Sequence, residues 1–130
     1  MGAVAKQVKI KKLGLKYEEY RDRAVAYAFS QANYSVQRAL LCLNMTVHSV
    51  KSKLSSNGNY ETDIENLKEM VAEDKKKGLI PVLYIATIGT TSTFACEQLK
   101  EIREACDEED MWLHVDSAMA GFACCVDKYH

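Results

Sequence analysis

The sequence predicts an α/β domain in which a mostly parallel sheet is flanked by helices. Helical and strand-like segments alternate along most of the 130 residues. Residues 79–87 and 111–115 are apolar almost throughout, as strands are when both faces of a sheet are covered. Helix-favouring segments separate them. A chain of this length forms one domain or part of one.

The first 16 residues form a basic segment in which five lysines stand among valine, isoleucine and leucine without a clear period. We expect a poorly ordered lead-in there, because a weakly patterned terminus has little to pack against. A solvated basic face is favoured over a targeting arm. The domain itself is expected over residues 17–130.

Four features are predicted in the first half of that domain. Apolar positions at helical spacing predict one helix over residues 17–28 and another over 30–43, with Ser30 as its cap. Residues 46–51 alternate and are rich in β-branched types, which predicts a strand with one buried side. The sequence SSNGN at residues 55–59 predicts a turn.

Two helix and strand pairs complete the domain. The predicted elements are a helix from Thr62 or Asp63 to about Lys76, a strand over 79–87, a helix over 97–107 and a strand over 111–115. Gly78 ends the first of these helices.

Composition narrows the classes of partner. Seventeen basic and eighteen acidic residues leave a net charge of −1, which does not favour nucleic acid or an anionic membrane surface. No apolar run approaches the roughly 20 residues that span a bilayer. The five cysteines have no CxxC spacing and no leader precedes them, so we expect buried free thiols in a cytoplasmic protein rather than zinc ligands.

Chemistry is expected where the two apolar strands end, because ligands of open α/β sheets bind beyond the carboxyl ends of the strands. Asp116 follows the second strand directly, and a carboxylate there needs a cationic partner, such as the protonated ring nitrogen of a cofactor. An equal alternative is that Asp116 caps a following helix through backbone amides. Ala118, Ala120 and Gly121 are small enough for a flat ring to approach, or are residues of a crowded turn.

The segment GTTS at residues 89–92 follows the other strand and offers backbone amides and three hydroxyl groups, a weak signal for binding phosphate or carboxylate oxygens. The GxxxxGK[ST] and GxGxxG patterns are absent, which removes the usual support for nucleotide kinases and nicotinamide enzymes. GxSxG is absent as well. His48 and His114 lie within apolar strands and are interpreted as core histidines.

The motifs GLIP, GTT and WLHVD, in this order, and the upstream run AYAFSQANYSVQRALL resemble the group II pyridoxal-phosphate-dependent decarboxylases. This is the family of aromatic-L-amino-acid, tyrosine and histidine decarboxylases. The resemblance covers the chain from about Tyr27 onward. It implies part of the large domain of the type I, aspartate-aminotransferase-like fold, and an active site at a homodimer interface.

The resemblance also implies the cofactor, pyridoxal 5'-phosphate, and a carboxy-lyase activity on an aromatic amino acid. Asp116 would pair with the ring nitrogen, Ala118 would pack against one ring face, and Thr91 would lie near the cofactor or its phosphate. His114 would support the site from beside it. Asn33 takes the position on the opposite ring face.

Two departures from the family pattern bear on activity. The family usually carries a histidine in a DQAHSS-like segment, whereas SQANYS has Asn33, which resembles the insect aromatic acetaldehyde synthases or reflects decay of an unused site. The lysine that holds the cofactor is expected in an NxHK-like segment beyond His130. The alternatives to an enzyme are therefore a non-catalytic fragment or pseudoenzyme and an incomplete gene model.

Overall fold

The computed structural model describes residues 1–127, apart from the side chain of Cys124. These residues contain six strands and five α-helices. The helices are α1 (Gly2–Leu13), α2 (Tyr17–Tyr20), α3 (Tyr34–Leu41), α4 (Ile64–Lys76) and α5 (Leu99–Glu108). The strands are β1 (Ala24–Phe29), β2 (Thr46–Val50), β3 (Ser52–Leu54), β4 (Tyr60–Thr62), β5 (Ile80–Thr87) and β6 (Trp112–Asp116). A 3-10 helix spans Gly121–Cys125.

Four strands form one sheet in the order β2-β1-β5-β6. Every neighbouring pair in this sheet is parallel, which confirms the predicted mostly parallel sheet. Strands β3 and β4 form a separate antiparallel hairpin around the predicted turn at residues 55–59. The carboxyl ends of the four parallel strands therefore meet at one edge of the domain.

Strand β1 shows how the sheet is covered on both faces. Ala24, Ala26 and Ala28 pack in a cluster with residues of α1 and α3. Val25 and Tyr27 alternate with them and pack in a second cluster with residues of α4 and α5. The domain therefore has three layers, with the sheet between two pairs of helices.

The prediction of a helix over residues 17–28 is wrong for most of its length. Only Tyr17–Tyr20 are helical, and all six residues of Ala24–Phe29 are buried in strand β1. A fully apolar segment shows no polar face, so its spacing does not distinguish a helix from a strand covered on both sides. The helix predicted over residues 30–43 begins at Tyr34, and its cap is Asn33 rather than Ser30.

The start of the chain also differs from the expected lead-in, because Gly2–Leu13 form helix α1. Lys6 Nζ donates to two carbonyl groups just beyond α3, and Lys9 Nζ donates to two just beyond α5, at 2.9–3.2 Å. These two lysines therefore fix α1 to the segments that follow α3 and α5. Lys6 and Lys9 are partly buried by these contacts, whereas Lys11, Lys12 and Lys16 remain exposed.

The remaining five elements of the main domain, β2, α4, β5, α5 and β6, lie within two residues of their predicted bounds. Asp63 is the cap of α4, and its side chain accepts a hydrogen bond from Asn66 N. Gly78, with φ of 76°, follows that helix as predicted. Within the described residues, no helix combines the length and the apolar character needed to cross a bilayer.

The prediction of buried cysteines holds for only one of the four whose side chains are described. Cys106 is buried, and burial raises the pKa of its thiol to about 12. The prediction is wrong for the three exposed thiols, Cys42, Cys96 and Cys125. The side chain of Cys124 lies outside what the structure describes.

A buried carboxylate joins the sheet to α4. Asp74 Oδ2 accepts a hydrogen bond from Tyr27 OH at 2.7 Å and lies 2.7 Å from His48 Nδ1. Burial first, and then Asp74, raises the pKa of Tyr27 above its usual range. The side chain of His48 is 27% exposed, so His48 is a surface partner of a buried acid and not the core histidine that we predicted.

We expect Asp74→Ala to lower the free energy of unfolding by about 1–3 kcal/mol, because the buried Tyr27 hydroxyl would lose its partner. Urea denaturation measures this. The double variant Tyr27→Phe/Asp74→Ala should be less destabilised than Asp74→Ala, since it removes both buried partners. An equal loss of unfolding free energy in the single and double variants would contradict this account. The control is Asp107→Ala, which removes an exposed ion pair with Arg103 and should change the stability little.

Candidate functional site

A cleft of about 400 Å³ lies at the carboxyl ends of β5 and β6. Three separate segments line it: the start of α3, the end of β5 with its following loop, and the end of β6 with its following turn. The lining residues are Asn33, Ser35, Thr87, Gly89, Thr91, Asp116, Ala118 and Met119. Four of the five residues that the family resemblance implies at the site, all but His114, are among them.

Asp116 ends β6 and pairs in register with Thr87 at the end of β5. Its half-buried side chain accepts a hydrogen bond at Oδ1 from Ala118 N, at 3.1 Å. The sequence offered a helix cap at Asp116 as an alternative, but this contact closes a turn, because the next helical residues start only at Gly121. The contact occupies one oxygen, and Asp116 is the only charged residue among the described residues that line the cleft. The cleft therefore favours a cationic group beside Asp116.

His114 lies two residues before Asp116 and pairs with Ile85 of β5. Because side chains alternate along a strand, His114 and Asp116 share one face of the sheet. His114 is half-buried, so the prediction of a core histidine is wrong for it as well. It is not among the residues that line the cleft.

Asn33 connects two walls of the cleft. Its Oδ1 accepts a hydrogen bond from Ser35 N at 2.9 Å, which caps α3. Its Nδ2 donates to Thr91 Oγ1 at 3.1 Å, in the loop after β5. The amide of Asn33 therefore fixes the start of α3 against the loop that carries Thr91.

Two of the four backbone amides that we expected to be free in the loop after β5 are bonded within the loop. Gly89 N and Thr90 N both donate to Ala95 O at 3.0 Å, and Thr90 Oγ1 accepts from Ala95 N at 3.0 Å. Gly89 has φ of 81°, and a Cβ there would lie 2.7 Å from the Cβ of Ala120. The loop closes on itself and packs against the turn after β6, which leaves Thr91 to face the cleft.

Glu97 organises the end of β5, a role that sequence reasoning missed by treating it as the first residue of a helix. Its Oε2 accepts a hydrogen bond from Thr87 N at 2.5 Å, and its own N–H donates to Thr87 O at 3.2 Å. Its Oε1 accepts from Tyr84 OH at 2.7 Å and from Thr62 Oγ1. The only sequence signal was an acidic residue shortly after an apolar strand.

Burial raises the pKa of Glu97 above its ordinary value, and the hydrogen bonds from Thr62, Tyr84 and Thr87 offset part of that effect. A folded-state pKa above the unfolded value means that the folded protein binds the proton more tightly. The contribution of Glu97 to stability is therefore fully present below the ordinary glutamate pKa, 4.5, and is lost as the pH rises through the folded-state pKa.

We expect Glu97→Gln to gain stability relative to the wild type as the pH rises from about 4 to 8, because glutamine carries no buried charge. Its amide can accept from Thr87 N and donate to the two hydroxyl groups. Urea denaturation across this pH range measures the difference. A difference that does not change with pH would contradict the raised pKa.

Asn33→Ala should lower the free energy of unfolding by about 1 kcal/mol, since it removes the cap of α3 and the bond to Thr91. Thermal or urea denaturation measures the loss. Asn33→Ser keeps a capping oxygen and should retain most of the stability, whereas equal losses in both variants would show that the cap is not the cause.

Known proteins are similar to this chain over most of its length. Residues 2–129 match the family model described as the pyridoxal-dependent decarboxylase conserved domain. The aromatic-L-amino-acid decarboxylase of Sus scrofa is 42% identical over 111 residues, which are 85% of this chain and 22% of that protein. The 3,4-dihydroxyphenylacetaldehyde synthase of Aedes aegypti is 38% identical over 112 residues, 85% of this chain and 20% of that protein.

A solved structure confirms the fold. The crystal structure of Oryza sativa TDC with PLP and tryptamine matches with a TM-score of 0.86 and 24% identity, over 97% of this chain and 26% of that one. The predicted partial domain of the pyridoxal-phosphate-dependent fold is therefore confirmed. The chain spans about a fifth of the length of the curated relatives it matches. Since the family model matches nearly all of its residues, the chain belongs to the pyridoxal-dependent decarboxylase family.

Proposed function

We propose that the cleft binds pyridoxal phosphate and that the chain forms part of the active site of a decarboxylase acting on an aromatic amino acid. The observation that carries the proposal is the meeting of Asn33, Thr91, Asp116 and Ala118 in one cleft. These residues come from three segments of the chain. Each stands where the family resemblance expects a contact with the cofactor.

The chemistry of the cleft fits this cofactor. Its volume of about 400 Å³ is within the range of small-molecule sites. A single carboxylate, Asp116, matches a ligand with one protonated ring nitrogen. The short side chain of Ala118 leaves room for a flat ring. Ser35 and Thr91 supply hydroxyl groups for a phosphate.

Each residue then has a defined task. Asp116 would hold the proton on the ring nitrogen, while Ala118 and Asn33 would lie against the ring. Thr91 would contact the cofactor or its phosphate, and His114 would support Asp116 from the neighbouring position on the same face of β6. When bound, pyridoxal phosphate supplies an electron sink that allows the α-carboxylate of an amino acid to leave as carbon dioxide.

The proposal includes how the chain acts within the whole enzyme. No lysine lines the cleft within the described residues, so we expect this chain to bind the cofactor without a covalent bond and to lack turnover alone. The complete site would form at the interface of a homodimer. A cytoplasmic location is part of the same proposal.

Asn33 supports a second candidate, an aldehyde synthase that couples decarboxylation to oxidative deamination. The Aedes aegypti relative, 38% identical, is such a synthase by name. An amide offers neither the aromatic face nor the titratable proton of a histidine. Because we expect this chain to lack turnover alone, an assay of the whole enzyme with an aromatic amino acid, pyridoxal phosphate and oxygen separates the candidates. An amine indicates a decarboxylase, and aldehyde with ammonia and hydrogen peroxide indicates a synthase.

The first test is a spectral titration of the 130-residue chain with pyridoxal phosphate, followed by borohydride reduction and mass spectrometry. We expect saturable binding and no stoichiometric adduct at any one lysine. Asp116→Ala should weaken binding by about 10- to 100-fold, because it removes a charge-assisted hydrogen bond.

Asp107→Ala is the matched control, since Asp107 is exposed on α5 and pairs with Arg103. It should bind like the wild type. Absence of saturable binding would overturn the proposed function. A stable adduct at one lysine would instead show that this lysine serves the site and that the short chain has the covalent contact we assign to another segment.

A further inference from the structure

The hydroxyl group of Thr87 is buried at the end of β5. Thr87 is 4% exposed, and its Oγ1 is buried without a hydrogen-bond partner among the described residues. Burying a hydroxyl group without a partner is unfavourable, and most buried polar atoms in proteins are paired. Thr87 also lines the cleft. The unpaired hydroxyl is therefore at a place where a ligand could satisfy it.

The sheet directs the side chain of Thr87 toward the cleft. Ile85, two residues earlier on β5, packs in the cluster that includes α1 and α3. Because side chains alternate along a strand, Thr87 lies on this same face, the face on which α3 begins. Thr87 pairs in register with Asp116, and neighbouring strands lie about 4.8 Å apart. The hydroxyl group and the carboxylate therefore stand side by side.

Glu97 fixes the backbone from which this hydroxyl projects. It bonds to both the N–H and the C=O of Thr87, at 2.5 and 3.2 Å. A β-branched side chain also has few accessible rotamers. The hydroxyl group is therefore held in place before any ligand arrives, as binding groups are in preorganised sites.

We propose that Thr87 is a ligand-binding residue whose hydroxyl group forms a hydrogen bond with a polar atom of the flat heteroaromatic ring held by Asp116. This inference rests on the proposed function, because it takes the ligand to be pyridoxal phosphate. A hydroxyl group both donates and accepts, so it suits a ring that carries oxygen and nitrogen atoms. Glu97 acts through Thr87 and is a positioning residue.

The test uses 4-deoxypyridoxine 5'-phosphate, which keeps the ring and the phosphate but has no aldehyde to react with exposed lysines. Its affinity is measured by calorimetry on the full 130-residue chain and its variants. Thr87→Val keeps the shape and removes the hydroxyl, and should weaken binding about fivefold to tenfold. Thr87→Ser keeps the hydroxyl and should bind within about twofold of the wild type. Thr46→Val, at an exposed position that begins β2, should bind unchanged.

Thermal unfolding without the probe gives a second readout. Since the hydroxyl has no partner among the described residues, Thr87→Val should have a Tm equal to or above that of the wild type. A lower Tm would show that the hydroxyl serves the fold and would overturn the inference. Binding that Thr87→Val leaves unchanged would overturn this inference alone. A wild-type chain that does not bind the probe would overturn both this inference and the proposed function.

Discussion

Strands β1 and β5 are buried on both faces along their whole lengths, and the rest of the domain is arranged around this pair. Polar groups inside such a layer are unfavourable unless they are paired, so the side chains suited to binding are displaced to the ends of the strands. Thr87 and Asp116 are the last residues of β5 and β6. The position of the cleft therefore follows from the same burial that stabilises the sheet.

The sequence was most informative at the ends of the buried parallel strands. Strands β5 and β6 could be predicted because each is an apolar run that ends in a polar residue, and the carboxyl ends of parallel strands lie at one edge. This reasoning brought Asp116, Ala118 and Thr91 together. Asn33 is different, because nothing in its local pattern indicates a site. Its prediction came only from the family resemblance, and the structure places it beside Thr91.

What the sequence did not reveal depends on contacts between distant residues. Glu97 matters through Thr62 and Tyr84, which lie 35 and 13 positions away. Helix α1 is weakly patterned. It is held by two lysines whose carbonyl partners lie 37 and 100 positions later in the chain. Local propensity carries no record of such partners. Strand β1 was missed for a related reason, since complete burial removes the alternation that identifies a strand.

The pairing of β1 with β5 also bears on how the chain folds during synthesis. Ala24 of β1 pairs with Ile80 of β5, 56 positions later. At a synthesis rate of about 5–20 residues per second, β1 waits roughly 3–11 seconds for this partner. Strand β2, whose Thr46 pairs with Val25 of β1, is synthesised before β5. Until β5 emerges, the edge of β1 that pairs with it is open, and an open strand edge can pair with other chains.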